Sequence, residues 1–359
     1  MKDTIFVEKV LKEELSKHFE GQSQRLQMMS KLLIAMIKMG SISFSKLSLV
    51  LNPLVKKSSN FRRIQRFVKE YTFSRSHFIQ LMWSLFGANQ SWIALTIDRT
   101  NWKFGKTNIN ILMIGISYQG TAIPLIWMLL NKRGNSSQKE RIELLDSLLF
   151  HLNQKQITQI RCLLADREFI GYQWIKHLKK QPFTFFIRIK KNALVRKNKS
   201  ANAVYAMKLF RQNNFQALRK SRHFYGHQLY IGGRKINAKE WLILISTTSL
   251  SQGPMYYGER WGIEVFFGAT KSRGFNFEDT HVTDLDRLSN LGYLISIAFS
   301  WSLKTGNKMI EKGYQIPIKQ LKSRKTKLFS IFRIGLDYLR ERFLNFLASF
   351  EDILILSCT

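Results

Sequence analysis

The sequence contains little cysteine, and its first residues lack an apolar stretch. Cys162 and Cys358 are its two cysteines, and they provide neither a disulfide framework nor the spacing of a zinc finger. This scarcity indicates a reducing compartment. The opening residues, MKDTIFVEKV, carry charges throughout. We therefore expect no signal peptide and a cytoplasmic location, in a bacterium or a similar reducing compartment.

Carboxylates are scarce as well. The chain has 24 Asp and Glu against 57 Lys and Arg, which gives a formal net charge of +33. A surplus of this size repels itself and favours a polyanionic partner, because each phosphate contact releases a condensed counterion. We therefore expect a nucleic-acid-binding protein. The alternative is a soluble basic protein of the ribosomal type.

Residues 107–130 carry no charge and are long enough to cross a bilayer. However, Gly115, Gly120 and Pro124 interrupt this stretch, and residues 118–121 are typical of a turn between two apolar runs. We predict two buried strands here and no membrane partner.

Residues 1–88 have the apolar spacing of helices and form the first predicted domain. One helix ends at Gly40, a short one covers residues 41–51, and a third follows residue 60. The third is basic and carries Arg62, Arg63 and Arg66. This order resembles a helix-turn-helix DNA reader. A plain three-helix cap with solvated arginines is the alternative.

From residue 91 the pattern changes to that of an α/β fold. Apolar strands are predicted at residues 92–98, 110–117, 122–130, 161–166 and 183–189, with helices at 139–152 and 171–180. Three strands, a helix, a strand, a helix and a strand are the order of a ribonuclease-H-like core.

Residues 169–239 contain no Asp or Glu. Basic residues cluster there, beginning with Lys190 and Lys191, and strands are predicted at residues 224–231 and 240–247. Surfaces normally mix charges of both signs. We predict a β-rich insertion with a phosphate-binding face, and a solvated basic surface is the alternative.

Two carboxylates end apolar strands in similar local sequences. Asp98 follows Thr96 and Ile97, Asp166 follows Leu164 and Ala165, and an arginine comes after each acid. Strand ends border clefts in which metal ions can bind. A strand-end Asp is also an ordinary turn former or helix N-cap, so this pair alone does not predict catalysis.

A third carboxylate is part of a spaced motif. Tyr257, Arg260, Glu264 and Lys271 lie on one predicted helix, residues 258–271 with the preceding turn, at offsets of three, four and seven. These offsets place the four side chains on one helical face. Such a face combines a metal-binding carboxylate with three phosphate-contacting groups. An exposed helix with an Arg260–Glu264 ion pair is the alternative.

The pattern Tyr-x2-Arg-x3-Glu-x6-Lys, downstream of Asp98 and Asp166, resembles the signature of IS4-type insertion-sequence transposases of the DDE superfamily. The resemblance covers roughly residues 90–303. It implies that Asp98, Asp166 and Glu264 bind two Mg²⁺ or Mn²⁺ ions and catalyse phosphoryl transfer. It also implies that Tyr257, Arg260 and Lys271 contact phosphates at the element's end.

The same resemblance implies an α/β fold, in which a ribonuclease-H-like core is interrupted by a β-rich insertion. Its reaction is cut-and-paste transposition, by hydrolysis at the element ends and strand transfer into target DNA. The partners are double-stranded DNA and a second copy of the chain in a synaptic dimer, associated with the nucleoid. The predicted divisions are a DNA-binding domain (1–88), a core in two parts (89–189 and 251–303), the insertion (190–250) and a C-terminal helical region (304–359).

Other candidates receive ordinary interpretations. In the families that the sequence resembles, hairpin formation at the element end uses an aromatic residue to hold a flipped base. Trp241 and Trp261 are candidates for this role, but a Trp in a strand or a helix is more typical of a core residue. His223 and His227 lie in a predicted strand, where a four-residue spacing does not make a metal pair. We interpret Glu168, two residues beyond Asp166, as a surface charge, and a supporting position next to the metal ligands is the alternative. Asp279, Asp284 and Asp286 flank a predicted helix start and suit caps.

Two functional alternatives stay open from the sequence. One is a ribonuclease-H-like nuclease that cuts without joining. The other is a catalytically inactive or domesticated DNA-binding protein derived from a transposase. The complete set of three acids argues against the second.

Overall fold

A computed structural model describes residues 2–211, 213–320, 325–345, 347–348 and 351–352. Its helices are α1 (Lys2–Ser16), α2 (Ser23–Met39), α3 (Phe44–Val50), α4 (Lys57–Glu70), α5 (Arg75–Phe86), α6 (Gln138–Phe150), α7 (Gln154–Gln159), α8 (Tyr172–Leu178), α9 (Gly253–Gly258), α10 (Gly262–Thr270), α11 (Leu285–Glu311) and α12 (Ile331–Leu344). Short 3₁₀ turns cover Ala206–Leu209, Glu259–Trp261 and Phe277–Thr280. Cys358 and parts of the predicted C-terminal helical region (304–359) lie outside the described residues, whereas α11 and α12 lie within the described part.

The strands are β1 (Ile93–Phe104), β2 (Thr107–Tyr118), β3 (Thr121–Leu129), β4 (Ile160–Ala165), β5 (Thr184–Arg188), β6 (Leu194–Val195), β7 (Val204–Tyr205), β8 (Gln216–Ala217), β9 (Arg222–Phe224), β10 (His227–Lys235), β11 (Trp241–Ser246), β12 (Ile318–Gln320) and β13 (Lys325–Lys327). The chain is therefore a mixed α/β protein, as the sequence predicts.

Contacts divide the chain into two compact units. The first comprises residues 1–85, 104–107 and 267–359, and the second comprises residues 86–103 and 108–266. Within the first unit, α2 packs against both α11 and α12. The N-terminal and C-terminal helices, which the sequence suggested as separate regions, thus share one core. The functional boundaries drawn from the sequence remain predictions.

The predicted N-terminal helices are present in the first unit, although α4 begins at Lys57 rather than after residue 60. α2 buries its apolar face, and Gly40 ends it in the left-handed conformation, with φ of 54°. The Asn60 side chain secures the turn between α3 and α4, because its amide donates to the carbonyls of Ser48 and Asn52. α11 and α12 approach closely at Gly306 and Gly335, where a Cβ atom would meet backbone oxygens.

The charge-free stretch forms the predicted pair of buried strands. β2 and β3 make an antiparallel hairpin whose turn residues, Gln119 and Gly120, have φ of 46° and 81°. Pro124 lies in β3, which is the edge strand of its sheet and so tolerates a residue without an N–H donor. In the described residues, no single helix is long and apolar enough to cross a membrane. α2 and α3, bent by 103°, pass that test only as a pair.

The central sheet of the second unit has the strand order β3-β2-β1-β4-β5-β11-β10-β8, and β9 pairs with β10. β1, β4 and β5 run parallel, whereas β3, β11, β10 and β8 each pair antiparallel with their neighbours. The predicted succession of strands and helices is present. β1 is longer than predicted, because it continues past Asp98 to Phe104 in a hairpin with β2.

One prediction about residues 190–250 is wrong in detail. The predicted strand at residues 224–231 is a hairpin, since β9 and β10 are joined by the turn Tyr225–Gly226. The range is β-rich, as predicted, and part of it continues the central sheet. β11 pairs with β5, so β11 and β10 extend the central sheet and bury their apolar residues in its core.

Candidate active site

The parallel pairing of β1 and β4 brings two of the predicted acids to the same place. The register pairs Ile97 with Ala165, and the next residues along the two strands are Asp98 and Asp166. Neighbouring strands lie about 4.8 Å apart, so these residues leave the sheet side by side. The apolar runs before them are buried and fix this register.

Asp98 lies in a mostly buried position, with 16% of its side chain exposed. Burial raises its pKa from 3.8 to about 6, and the charges of Glu168 and Asp166 add to this rise. The Arg99 amide, which donates to Asp98 Oδ1 at 2.7 Å, and the Arg260 guanidinium oppose it. A carboxylate held in this way favours a neighbouring cation.

The predicted single helix over residues 258–271 is broken in the structure. α9 ends at Gly258, a 3₁₀ turn covers Glu259–Trp261, and α10 begins at Gly262. The break lies where the Ser117 hydroxyl, from β2, donates to the Glu259 carbonyl at 3.3 Å. Gly262 also packs so close to Thr121 that a Cβ atom would lie 2.5 Å from its carbonyl oxygen.

Arg260 joins two of the acids despite this break. Its guanidinium donates through one nitrogen to Asp98 Oδ2 at 3.2 Å and through the other to Glu264 Oε1 at 2.6 Å. Only 9% of the Arg260 side chain is exposed. The ion pair that the sequence offered as an alternative is therefore real. It is shared with Asp98 rather than confined to a solvated helix face.

Tyr257 contacts Asp166, the acid that Arg260 does not bind. Its hydroxyl donates to Asp166 Oδ1 at 3.3 Å, and the Arg260 guanidinium lies 5.8 Å from the centre of its ring. The ring is 8% exposed and packs in the core with Cys162 and Phe186. Burial raises the pKa of Tyr257, so its hydroxyl stays protonated and donating. In the structure, Tyr257 therefore holds Asp166 through this hydrogen bond. Its predicted contact with a DNA phosphate stays a prediction.

Lys271 directly follows α10, and its amide donates to the Phe267 carbonyl as in a helix. α10 ends at Thr270, and the Lys271 ammonium pairs with Glu278 at 2.7 Å in the first unit. Its predicted DNA contact stays a prediction.

Glu168 is not the surface charge that the sequence suggested. The Arg99 guanidinium donates to both Glu168 oxygens at 3.3 Å and also to the side chains of Asn110 and Asn135. Arg99 directly follows Asp98, and Glu168 lies two residues after Asp166, so this pair links the two strand ends. The arginine after each acid was the only sequence signal for this link.

The donor set of the site suits a divalent cation. Among the described residues, no three His, Cys, Asp or Glu side chains lie close enough together to hold a metal ion as they stand. Asp98, Asp166 and Glu264 nevertheless supply the oxygen ligands that Mg²⁺ and Mn²⁺ prefer. The Arg260 guanidinium pairs with two of these carboxylates, Asp98 and Glu264. Its single positive charge does not balance both of them, so the site can accept further positive charge.

The remaining predicted residues are placed as follows. Arg62, Arg63 and Arg66 are exposed on α4, and Lys190 and Lys191 are exposed just after β5. Trp261 is 60% exposed in the 3₁₀ turn beside Arg260, whereas Trp241 is partly buried in β11. Asp284 caps α11 as predicted, by accepting from the Arg287 amide. Cys162 is a buried free thiol.

His223 and His227 lie on the two strands of the β9–β10 hairpin. The His227 ring stacks on Tyr172 with centroids 4.7 Å apart, and its Nε2 lies 3.0 Å from the Tyr172 carbonyl oxygen. These contacts fit the structural interpretation that the sequence favoured for this pair.

Comparison with known proteins connects this site to a family. Residues 87–301, more than half of the chain, match the family model described as "Transposase DDE domain". No curated protein matches the chain. Among solved structures, the cryo-EM structure of the piggyBac transposase synaptic complex with hairpin DNA is 13% identical. It covers 91% of this chain and 73% of that chain, with a TM-score of 0.47.

Proposed function

Because this chain belongs to the Transposase DDE domain family, we propose that it is an IS4-type DNA transposase that moves an insertion sequence by a cut-and-paste reaction. One observation carries the proposal. Acids from β1, from the residue after β4 and from α10 are connected through Arg260 and Tyr257. The spacing of the Tyr-Arg-Glu motif accounts for these contacts, although its helix is broken.

In this proposal, Asp98, Asp166 and Glu264 hold two Mg²⁺ or Mn²⁺ ions. When bound there, such ions would supply Lewis-acid stabilisation of the charge on oxygen during phosphoryl transfer. Arg260 lies against the same carboxylates and presents a planar donor group that matches a phosphate bidentately, so it would hold a DNA phosphate beside them. Tyr257 orients Asp166, and Arg99 with Glu168 holds the two strand ends together.

The finer structural proposals follow the same assignment. The strands and helices from β1 to β5 would form a ribonuclease-H-like core, and the strands from β6 to β11 would be its β-rich interruption. The partners would be the DNA of the element ends, the target DNA and a second copy of the chain in a synaptic dimer. Such a protein would act on the nucleoid in the cytoplasm.

Exposed cations would hold the DNA. Arg62, Arg63 and Arg66 on α4 would contact the element end, and Lys190 and Lys191 would contact phosphates near the acids. With a net charge of +33, affinity for duplex DNA should fall steeply as salt rises. A shallow salt dependence would contradict this assignment.

A strand-transfer assay tests the function. The substrate is duplex DNA that carries the terminal repeats flanking the coding region, incubated with the full chain, Mg²⁺ and a plasmid target. We expect cleavage that exposes a 3′-OH and a joined product. Asp98→Asn, Asp166→Asn and Glu264→Gln should each abolish both products while DNA binding persists. Glu143→Gln, at an exposed helix position, is the matched control and should stay active.

The outcomes separate the proposal from its alternatives. Cleavage without joining would support the nuclease alternative and reject the transposase. Binding without cleavage by the wild-type chain would support an inactive, domesticated protein. Full activity in all three acid variants would reject the site assignment.

A further inference from the structure

A pocket of the second unit opens at the end of β4 that lies away from Asp166. We call it the Arg161 pocket. Its residues come from the starts of β4 and β5, from the residues just before β1 and from the segment between β11 and α9. Arg161 lies near the start of β4 and Asp166 directly follows its end, five residues later, which corresponds to about 16 Å along a strand. The pocket is therefore separate from the candidate active site.

The Arg161 pocket has the size and the charge of a site for a small anion. Its volume is about 490 Å³, within the range of roughly 300–1,000 Å³ that is typical of small-molecule sites. Among the described residues that line it, Arg161 is the cation and none is an Asp or Glu. Arg161 is exposed, and within the described part of the chain its guanidinium makes no ion pair. The pocket therefore offers an unneutralised positive charge to a ligand.

Hydroxyl groups form one side of the Arg161 pocket. The Thr184 hydroxyl lies 2.7 Å from the hydroxyl of Thr247 and 3.3 Å from that of Thr248. Thr184 and Thr248 line the pocket, and so do Ser249 and Ser251, which are exposed. Hydroxyls rotate and can donate to an anion. A guanidinium together with several hydroxyls is a donor set that suits a phosphate group.

Aromatic rings form another side of the Arg161 pocket. The Trp92 ring is partly exposed and meets the Tyr256 ring edge-on, with centroids 5.4 Å apart. Phe186 stacks on Tyr256 at 5.5 Å, and the Arg161 guanidinium lies 6.0 Å from the centre of the Tyr256 ring. The positive charge is thus adjacent to an aromatic cluster. A ligand whose anionic group binds Arg161 would also contact these rings through any flat apolar part.

Two glutamines add polar groups that a simple anion does not need. Gln252 Oε1 accepts from the Tyr256 hydroxyl at 3.2 Å, and Gln159 Nε2 donates to the Gln90 carbonyl at 3.0 Å. These contacts use one end of each amide. Within the described residues, Gln252 Nε2 and Gln159 Oε1 make no further hydrogen bond, so the pocket retains one donor and one acceptor. The edge of a nucleobase carries donors and acceptors that match such groups.

We propose that the Arg161 pocket binds a free nucleoside monophosphate. Arg161 and the hydroxyls hold its phosphate, and its base lies against Trp92 within reach of the two glutamines. The ligand is a small molecule and the site lies away from the acids, so this assignment does not rest on the proposed function.

The position of the pocket connects its ligand to the acids. The short helix α9 carries Tyr256, which lines the pocket, and Tyr257, whose hydroxyl donates to Asp166. A ligand that packs on Tyr256 would therefore restrain the helix that also holds Asp166.

Isothermal titration calorimetry with the full chain in EDTA measures binding. The probe is adenosine 5′-monophosphate, with adenosine and benzoate as comparisons that lack the phosphate and the nucleoside. We expect the monophosphate to bind about tenfold or more tightly than either comparison, because charged hydrogen bonds add to the aromatic contact. Equal affinity for adenosine or for benzoate would overturn the assignment of a nucleoside monophosphate.

Two sets of variants test the contacts. Arg161→Gln should weaken binding of the monophosphate about tenfold or more and leave adenosine binding unchanged. Arg234→Gln, which removes an exposed arginine of β10 in the same unit, is the matched control and should bind normally. Trp92→Leu should weaken binding of both ligands about threefold or more, and Trp92→Phe should restore most of the loss. Equal monophosphate affinity for Arg161→Gln and the wild type would overturn the proposal.

A direct readout guards against binding at other basic surfaces. On illumination, 8-azidoadenosine 5′-monophosphate should label the peptide that contains Trp92 or the peptide that contains Gln252, as digestion and mass spectrometry would show. An excess of adenosine 5′-monophosphate should prevent this labelling. Labels confined to other peptides would overturn the proposal.

The binding result is independent of catalysis. If the strand-transfer assay fails but Arg161→Gln loses monophosphate binding, the pocket assignment stands and the catalytic proposal falls. If strand transfer succeeds while the monophosphate binds wild type and Arg161→Gln alike, the pocket assignment alone is rejected. Where both succeed, the monophosphate should change the strand-transfer rate of the wild type and not that of Arg161→Gln, and equal responses would reject the connection through α9.

Discussion

Arg260 and Glu264 form an ion pair at 2.6 Å one helical turn apart, and the arginine is 9% exposed while the glutamate is 37% exposed. An exposed pair with this spacing contributes only a few tenths of a kcal/mol. This one differs because the same guanidinium also serves Asp98, which is mostly buried. The arginine therefore has a structural role in addition to any contact with DNA.

Arg260→Gln should destabilise the protein. The substitution leaves the buried Asp98 without its cation, and hydrogen bonds to charged groups contribute about 1.5–3 kcal/mol. Denaturant unfolding in EDTA should show a loss within that range. Arg333→Gln is the matched control, because its pair with Asp337 has the same length, 2.6 Å, but is exposed. A loss for Arg260→Gln no larger than that of the control would contradict a structural role for the bridge.

Divalent metal should stabilise the wild-type chain. A cation that binds the folded state alone adds about 2.7 kcal/mol at a concentration one hundred times its Kd. Differential scanning calorimetry should show a rise in Tm with Mg²⁺ or Mn²⁺, and Asp166→Asn should remove most of the rise. Glu143→Gln should keep it. An equal rise in Asp166→Asn and the wild type would place the metal elsewhere.

Arg99 and Glu168 should be energetically coupled. Their side chains join residues 69 positions apart in the sequence and are largely buried, so each depends on the other for its charge. A double-mutant cycle of Arg99→Gln and Glu168→Gln should give a coupling free energy of unfolding of about 1–2 kcal/mol. A value near zero would return Glu168 to the surface role that the sequence suggested.

The same cycle has a functional readout. If Arg99 and Glu168 position the acids, either variant should lower the rate of DNA cleavage and leave DNA affinity in EDTA unchanged. Lys139→Gln, an exposed pair-breaking change on α6, should alter neither quantity.

Gly262→Ala should be costly, whereas Gly258→Ala should not. A Cβ atom at position 262 would meet the Thr121 carbonyl at 2.5 Å, so α10 would have to move away from the β2–β3 hairpin. Overpacking of this kind costs about 1–3 kcal/mol. Position 258 has open space around it, and alanine should stabilise its helical backbone by about 0.5 kcal/mol. Equal unfolding free energies for the two variants would contradict the close approach.

Local patterns predicted much of what the structure contains. The apolar runs that precede Asp98 and Asp166 are strands, the charge-free stretch is a buried hairpin, and Gly40 ends α2. Each of these depends on neighbours within a few residues, such as a side-chain period or a residue suited to a turn. The motif spacing likewise predicted that Tyr257, Arg260 and Glu264 act together.

Contacts between distant segments could not be predicted in this way. The helix around Arg260 is broken where Glu259 accepts a hydrogen bond from Ser117, which lies 142 residues earlier. The sequence favoured a surface position for Glu168, whereas the β1–β4 register places Arg99 beside it and the two side chains form an ion pair. β11 joined the core sheet because β5 offered it a free edge, which no spacing in the sequence reveals.

The sequence by itself determined the excess of positive charge, the two strand-end acids and the Tyr-Arg-Glu spacing, because composition and short periods are properties of the chain alone. Only the tertiary structure decided that Arg260 bridges Asp98 and Glu264 and that Arg99 pairs with Glu168 between the two strand ends. The physical reason is that ion pairs depend on distances in space. Strand register and helix breaks set those distances across segments far apart in the chain.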